Sequence, residues 1–263
     1  MARVIAITRS FNEVDIVEHS IRWMLTQVDH IIVGDNSSDG SRELLRDLEQ
    51  TGRVTVVHDT APNFAQAEIL TAFAKSARED RGAEWIVPFD LDERFFAAEG
   101  TIAEQLAALP AEILKVQVPN LTHCVTTEDD SGQRDPFRAM QWRSVEQLPL
   151  RKVVVRAHPG LRLAHGNHDA SFDGVTFAPE LSGVLEARHF PYRSPEQFAK
   201  RVIGAYGQLK ASGLPRTHGQ HMHEYGELYE AHGLEGLHEW FRNGMLFDRP
   251  GENPELVYDP APW

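Results

Sequence analysis

Short apolar segments alternate with helix-like segments along the first third of the chain, and no other feature restricts the possible folds as strongly. Segments that are apolar and β-branched enough for buried strands occupy residues 4–7, 30–33, 54–57 and 85–89. Apolar side chains recur at helical intervals over residues 14–27, 42–51 and 63–81. Strand and helix in this order are typical of parallel βαβ units. The sequence therefore predicts an α/β fold.

Polar residues gather directly after three of the predicted strands. These clusters are residues 9–13, 35–39 and 90–93. In an open parallel sheet the carboxyl ends of the strands share one edge, and ligands bind just outside it. We expect the three clusters to meet at that edge and to form the functional site.

The second half of the chain is less regular. Residues 113–118 and 152–155 are strand-like, and a polar stretch, 126–136, lies between them. That stretch is either a functional lid or a mobile loop. Helices are expected from Ser194 onward and over about 225–241.

The tail from Arg249 is rich in proline and lacks regular periodicity, so we expect it to be loosely held. A chain of 263 residues suits one large α/β domain, alone or with an appended part. We expect the main domain over residues 1–190 and a smaller helical extension over 191–263.

Charge and cysteine content exclude several classes of protein. The formal net charge of −13 argues against a surface that binds many nucleic-acid phosphates, so no nucleic-acid partner is expected. Cys124 is the single cysteine and cannot form an intramolecular disulfide. The apolar runs are too short for a transmembrane segment or a signal peptide. These features favour a cytoplasmic protein.

The sequence Asp90-Leu91-Asp92-Glu93 follows the fourth predicted strand. Residues two apart on an extended chain point to the same side, so Asp90 and Asp92 can face one ligand. Carboxylates of this kind bind Mg²⁺ or Mn²⁺, whose remaining ligands are commonly water and substrate phosphates. The alternative is structural, because aspartate also caps helices and closes turns.

Three blocks in order carry a family resemblance: Arg9-x-x-Asn12-Glu13, the stretch 33–41, and Phe89-Asp90-Leu91-Asp92-Glu93. Together they resemble the family 2 glycosyltransferases of GT-A fold, in particular the subgroup with Asn-Glu in the first block and Asp-x-Asp-Glu in the metal motif. The resemblance covers about residues 3–96 and continues less securely to 189–194. It implies a Rossmann-like mixed sheet flanked by helices, with a smaller C-terminal helical part.

What the resemblance implies is transfer of a sugar, with inversion, from a nucleotide-diphosphate sugar donor to a hydroxyl of a glycan or small-molecule acceptor. Asp35 would contact the nucleoside, Asn12 and Glu13 would line the nucleotide pocket, and Arg9 would lie near it. Asp90 and Asp92 would lie at the ribose and the diphosphate and would bind a Mn²⁺ or Mg²⁺ cofactor.

His189 is a further candidate metal ligand, because GT-A enzymes often complete the metal site with a histidine from the C-terminal part of the domain. An imidazole is an acceptable Mn²⁺ ligand. A purely structural histidine is the alternative. The candidate metal ligands are therefore Asp90, Asp92 and His189.

An inverting transfer also needs a carboxylate that accepts the proton of the acceptor hydroxyl. The polar loop 165–169 offers Asp169 for this role, and Glu180 is an equal candidate. The sequence does not decide between them, and it identifies neither the sugar, the nucleobase nor the acceptor.

Three other functions compete with this interpretation. A non-catalytic sugar-nucleotide binding module would keep the fold, although both aspartates of the motif are present here. A nucleotidyltransferase would usually show a glycine-rich, basic loop after the first strand, where residues 8–13 read Thr-Arg-Ser-Phe-Asn-Glu. A zinc hydrolase is disfavoured because the histidines of this chain have spacings that are unusual for zinc ligands. These histidines are His165 and His168, then His218, His221 and His223.

Residues 217–224 are either a closing lid or an exposed connection.

Overall fold

The computed structural model describes residues 3–60, 65–130, 132–146, 150–176, 178–213, 215–217 and 219–261. The strands are β1 (Val4–Ser10), β2 (His30–Asp35), β3 (Val54–His58), β4 (Trp85–Pro88), β5 (Glu93–Ala97), β6 (Lys115–Val118), β7 (Asn120–Thr122), β8 (Trp142–Ser144), β9 (Lys152–Arg156), β10 (Leu161–Leu163), β11 (Ala170–Phe172), β12 (Glu180–Ser182), β13 (Leu185–His189) and β14 (Leu256–Tyr258). The helices are α1 (Val17–Gln27), α2 (Ser41–Glu49), α3 (Gln66–Arg81), α4 (Ile102–Ala107), α5 (Pro136–Ala139), α6 (Pro195–Ser212) and α7 (Gln220–Gly244).

The described residues form two compact units. The first comprises residues among 1–61, 65–121 and 147–189, and the second comprises residues among 62–64, 122–146 and 190–263. The first unit contains a seven-stranded sheet with the order β12-β6-β9-β4-β1-β2-β3. Strands β4, β1, β2 and β3 are parallel to one another, whereas β9 runs antiparallel to both β4 and β6. This mixed sheet confirms the predicted α/β class.

The core of the sheet follows from the apolar segments that predicted it. Every residue of β2 and β4 is buried, and α3 packs Leu70, Ala74 and Ala77 into the same core as Ile5 and Ile86. Removal of such apolar surface from water contributes about 25 cal/mol per Å². The helix α3 begins at Gln66 in the described chain, and its predicted start at Asn63 lies outside the described residues.

Strands β1 and β2 extend farther than their apolar residues predicted. The parallel pairing continues through Arg9 opposite Gly34 and Ser10 opposite Asp35. Polar side chains can occupy these positions because backbone hydrogen bonding, rather than apolar burial, holds the end of the ladder. The pairing aligns the two polar clusters that follow these strands.

The periodicity of the sequence did not predict a fifth strand, β5, at the end of the acidic motif. The backbone N–H of Glu93 donates to the carbonyl of Asp90 at 2.9 Å, so the chain turns sharply and continues as β5. Strand β13 pairs with β5 antiparallel, and this register puts His189 opposite Glu93. Distant parts of the sequence are thereby brought together at the motif.

In the second unit, α6 and α7 pack around Phe198, Val202, Leu237 and other apolar residues. The hydroxyl of Ser194 caps α6 by accepting from the Gln197 backbone N–H at 3.1 Å. The longer α7 is kinked at Gly233, whose φ of 66° lies in the left-handed region.

The expectation of a loosely held tail was wrong for part of it. Residues of the tail form β14, which pairs antiparallel with β8, and Arg143 binds Asp259 at 2.5 Å. A strand of three residues is too short to show an alternating pattern in the sequence.

Within the stretch 126–136, Asp135 caps α5 by accepting from the Phe137 N–H at 3.0 Å.

Candidate functional site

The carboxyl end of β4 carries a buried cluster of charges. The Nζ of Lys152, the first residue of β9, lies 2.7 Å from Oδ2 of Asp90 and 2.7 Å from Oε1 of Glu93. The side chains of Lys152 and Glu93 are 4% and 0% exposed. Burial alone would lower the pKa of Lys152, but the two carboxylates outweigh it and raise this pKa. Lys152 is therefore a buried ammonium bound to two carboxylates.

A loop over the end of α3 completes the surroundings of Asp90. Oδ1 of Asp90 accepts from Nε2 of Gln66 at 3.0 Å and from Nδ2 of Asn167 at 3.3 Å. The carbonyl of Gly166 accepts from Nζ of Lys152 at 2.9 Å, and the backbone N–H of Gly166 donates to Oε1 of Gln66 at 3.0 Å. Gly166 and Asn167 have φ of 72° and 59°, values that glycine and asparagine tolerate best. Both carboxylate oxygens of Asp90 are engaged.

Asp92 has a different neighbour. Its Oδ2 lies 3.6 Å from Nε2 of His189, and both residues are mostly buried, with side chains 4% and 19% exposed. Nδ1 of His189 is buried without a hydrogen-bond partner. Pairing of β13 with β5 holds this histidine at the motif.

A carboxylate oxygen and an imidazole nitrogen at this separation fit a divalent cation that takes its other ligands from water and a phosphate. Within the described residues, no group of three or more His, Cys, Asp or Glu side chains is arranged to hold a metal ion. Of the three predicted ligands, Asp92 and His189 face each other, whereas Asp90 binds Lys152.

Asp35 ends β2 and is 2% exposed. Its Oδ1 accepts from the Ser37 N–H at 3.0 Å, and its Oδ2 binds Nε of Arg42 at 2.9 Å. Arg9, on the neighbouring strand, binds Oδ2 of Asp59 at 2.6 Å. Arg9 and Asp35, both candidates for the nucleotide pocket, thus lie at the same edge of the sheet. Each of them is in an ion pair.

Asn12 joins the loops that follow β1 and β2. Its side-chain oxygen accepts from the Ser38 N–H at 2.7 Å and from the Asp39 N–H at 3.2 Å. Its φ is 59°, in the left-handed region that asparagine tolerates. The backbone carbonyl of Glu13 accepts from the N–H groups of Ile16 and Val17 at 3.0 Å. Asn12 therefore shapes this end of the sheet.

Asp169 and Glu180 both form ion pairs with Lys115, the first residue of β6. The Nζ of Lys115 is 2.7 Å from Asp169 and 3.1 Å from Glu180. Burial would raise the pKa of Asp169, but hydrogen bonds from Lys115 and the Ala170 N–H lower it below its usual value. Hydrogen bonds from Gln117 and Lys115 lower the pKa of Glu180. Both carboxylates are thus weaker bases than isolated ones.

A cavity of about 310 Å³ adjoins this group, and Lys115, Glu180, Ser171 and Phe172 are among the residues that line it. Asp169 is two residues from Asn167, whose side chain reaches Asp90. The loop 165–169 therefore connects the two carboxylate groups along the chain.

The described histidines of the disfavoured zinc alternative belong to no group of three or more His, Cys, Asp or Glu side chains arranged to hold a metal ion. Nδ1 of His168 lies 2.9 Å from the Arg151 carbonyl, and burial lowers the pKa of His168. His221 and His223 belong to the first turns of α7, and His218 lies outside the described residues. Of the stretch 217–224, given as either a closing lid or an exposed connection, residues 220–224 begin α7.

Sequence reasoning missed several residues of the site, chiefly Lys152, Gln66, Asn167 and Asp59. Lys152 offered a signal, because it lies in the strand-like segment 152–155, whose other three residues are valine. A buried lysine is rare unless it is paired. Asn167 belongs to the polar loop 165–169 that the sequence singled out, whereas Gln66 and Asp59 carried no signal beyond their polarity.

The fold and the polar strand ends define a mixed α/β protein with its candidate ligand site at the carboxyl end of a central parallel strand, as in other open α/β sheets. The model of "Glycosyl transferase family 2" matches residues 6–164. The chain belongs to this glycosyltransferase family and has its GT-A fold, as the three sequence blocks implied.

Comparison with curated proteins gave no match. Among solved structures, the chain is similar to the WbbM bifunctional glycosyltransferase, with 13% identity over 45% of this chain, 23% of that chain and a TM-score of 0.30. It is also similar to a 4-diphosphocytidyl-2C-methyl-D-erythritol synthase, with 17% identity over 60% of this chain, 76% of that chain and a TM-score of 0.33. The chain thus spans under a quarter of the WbbM chain. None of the described helices is both long and apolar enough to cross a membrane.

Proposed function

We propose that this protein transfers a sugar from a nucleotide-diphosphate sugar to an acceptor hydroxyl, with a divalent cation and with inversion at the anomeric carbon. One observation carries the proposal. Asp92 and His189 face each other at 3.6 Å beside Asp90, at the end of a central strand in a family 2 domain. This position is where a diphosphate would meet the positive charge it needs.

The residues after β1 and β2 support binding of the nucleoside. Asp35 presents a buried carboxylate that Arg42 and the Ser37 N–H hold in place. Asn12 fixes the backbone of residues 38 and 39, and Arg9 and Asp59 supply a neighbouring buried ion pair. Buried, oriented polar groups of this kind select a ligand by hydrogen bonding.

Asp92 and His189 would hold Mn²⁺ or Mg²⁺, which supplies charge that stabilises the departing nucleotide diphosphate. The protein contributes the carboxylate, the imidazole and their burial. Asp90 contributes an acceptor oxygen to the ribose, and its hydrogen bonds to Gln66 and Asn167 orient it.

For the proton of the acceptor hydroxyl we propose Asp169 before Glu180. Asp169 follows Asn167 by two residues in the loop that contacts Asp90. Asp169 is ionised at neutral pH, and its bond to Lys115 at 2.7 Å holds the carboxylate in place. Asp169→Asn should reduce kcat more than Glu180→Gln does, with donor affinity unchanged in both.

Titration with UDP, GDP, dTDP and their sugars, with and without Mn²⁺, tests the proposal. One nucleotide should bind, and its affinity should rise with Mn²⁺. Product analysis with the sugar nucleotide that binds then separates transferase from binding module. Release of pyrophosphate from a nucleoside triphosphate and a sugar phosphate would instead identify a nucleotidyltransferase, and absence of any nucleotide binding would reject the proposal.

A further inference from the structure

We propose that Lys152 is a positioning residue that acts as a resident cation: its ammonium group holds Asp90 and Glu93, keeps divalent metal away from Asp90, and leaves metal binding to Asp92 and His189. The inference concerns the same site as the proposed function and rests on it for the role of Asp90 in donor binding. The geometry of Lys152 is independent of that role.

The contacts of Lys152 fill the directions in which an ammonium group can donate. A lysine ammonium has three donors and no acceptor. Here the three partners are Asp90 at 2.7 Å, Glu93 at 2.7 Å and the Gly166 carbonyl at 2.9 Å. A group that is 4% exposed and fully bonded stays in place.

Asp90 has little capacity left for a metal ion. A carboxylate offers about four acceptor positions. Lys152 takes one on Oδ2, while Gln66 and Asn167 take two on Oδ1. What remains suits one neutral donor, such as a hydroxyl, better than a hard cation, which would lie next to the Lys152 charge.

Asp92 and Asp90 are two residues apart, but the turn into β5 separates their surroundings. Asp92 faces the imidazole of His189, whose Nε2 lies 3.6 Å from Oδ2 and can share a metal ion with it. The amide oxygens of Asn120 and Asn167, in residues that are 4% and 0% exposed, have no hydrogen-bond partner. These buried acceptors favour a hydroxyl or a water beside Asp90 and Glu93.

Binding of Mn²⁺ alone, followed by the electron paramagnetic resonance signal of free Mn²⁺, tests the inference without a donor. Asp90→Asn should leave the Mn²⁺ affinity of the protein within about twofold, whereas Asp92→Asn should lower it about tenfold or more. Equal losses in both variants would overturn the inference, because Asp90 would then be a ligand.

Removing the ammonium gives the second arm. In Lys152→Met, the ammonium group that occupies Oδ2 of Asp90 is gone, so Mn²⁺ should bind at least about tenfold more tightly or at an additional site. Adding Asp90→Asn should abolish this gain, and Lys152→Arg should keep the affinity of the unmodified protein. Lys75→Met, which removes one exposed charge from α3, should change the affinity by less than about twofold.

Failure of Lys152→Met to gain Mn²⁺, in a protein that unfolds cooperatively, would overturn the inference. If that variant does not fold, the comparison of Asp90→Asn with Asp92→Asn decides alone. A protein that shows the expected Mn²⁺ pattern but binds no nucleotide would refute the proposed function and leave the role of Lys152 intact.

Discussion

His189 stands opposite Glu93 across the β13–β5 pairing, and its Nε2 lies 3.6 Å from Oδ2 of Asp92. Asp92 lies in the turn before β5, and His189 ends β13, so the two side chains are far apart in the sequence. Their approach places a nitrogen beside the carboxylate oxygen, so the proposed metal ion would have two kinds of ligand. Loss of the Asp92 carboxylate should therefore affect donor binding first.

Asp92→Asn should weaken Mn²⁺-dependent nucleotide binding by about tenfold or more, because asparagine keeps the shape of the side chain but loses its charge. The change in unfolding free energy should be small by comparison, since the volume is conserved. Calorimetric titration of the nucleotide with and without Mn²⁺, together with urea unfolding, measures both.

Asp173→Asn is the matched control for that variant. Asp173 pairs with Arg162 in an exposed ion pair of the same unit, where loss of charge has little effect. It should change neither nucleotide binding nor stability. If the Asp92→Asn protein bound the nucleotide as tightly as the unmodified protein does, Asp92 would not be a metal ligand.

Asn12→Ala should destabilise the protein by about 1–3 kcal/mol, because it leaves the backbone N–H groups of Ser38 and Asp39 without their acceptor. Alanine also tolerates the φ of 59° poorly. Asn12→Asp keeps an acceptor oxygen and suits the same φ, so it should cost less than about 1 kcal/mol. Urea unfolding of the three proteins checks this order, and equal losses would show that the side-chain oxygen is unimportant.

The sequence predicted the strands that carry the site but not the contacts between distant segments. Strands β1 to β4 were recognisable because their apolar runs are local patterns, and the order of three blocks identified the family. Lys152 is 62 residues from Asp90, and only the antiparallel pairing of β9 with β4 brings them together. Local periodicity contains no information about such a pairing, and the same is true of β13 with β5.

The role assigned to Asn12 illustrates the same limit. Its position in the first block implied a contact with the nucleotide, while the structure engages its side-chain oxygen in the next loop. A motif gives the position of a residue, but the direction of its side chain depends on φ, which is unusual here. The sequence did not decide between Asp169 and Glu180 for a related reason, since their bonds to Lys115 connect segments that are far apart in the chain.

His30 should make folding sensitive to acid. Burial, with added repulsion from Arg81, Arg3 and Arg53, lowers the pKa of His30 from 6.5 to about 4. The folded state therefore binds fewer protons than the unfolded state between these values. The stability that His30 contributes is present above pH 6.5 and is lost as the pH falls toward 4.

His30→Gln retains a polar partner for Thr55, which lies 2.9 Å from the imidazole, and removes the titrating group. Between pH 6.5 and pH 4, the variant should lose less unfolding free energy than the unmodified protein. Urea unfolding at pH values across this interval measures the two slopes. Parallel slopes would mean that His30 titrates alike in both states.

Gly226→Ala should destabilise the helix pair α6–α7. A methyl group at Gly226, a buried position of α7, would overlap the ring of Tyr206 on α6. The ring cannot move freely, because its hydroxyl donates to Glu230 at 3.0 Å. Overpacking of this kind costs about 1–3 kcal/mol. The expected result is a lower unfolding midpoint in urea.

Gly207→Ala is the control on the opposing helix, one residue beyond Tyr206. A methyl group there meets no atom within 4 Å, and alanine in a helix interior is about 0.5–1 kcal/mol more favourable than glycine. The two substitutions add the same methyl group to neighbouring helices, so opposite signs in unfolding free energy isolate the contact with Tyr206. A stabilising Gly226→Ala would mean that the helices separate easily at this point, and that Tyr206 does not fix their distance.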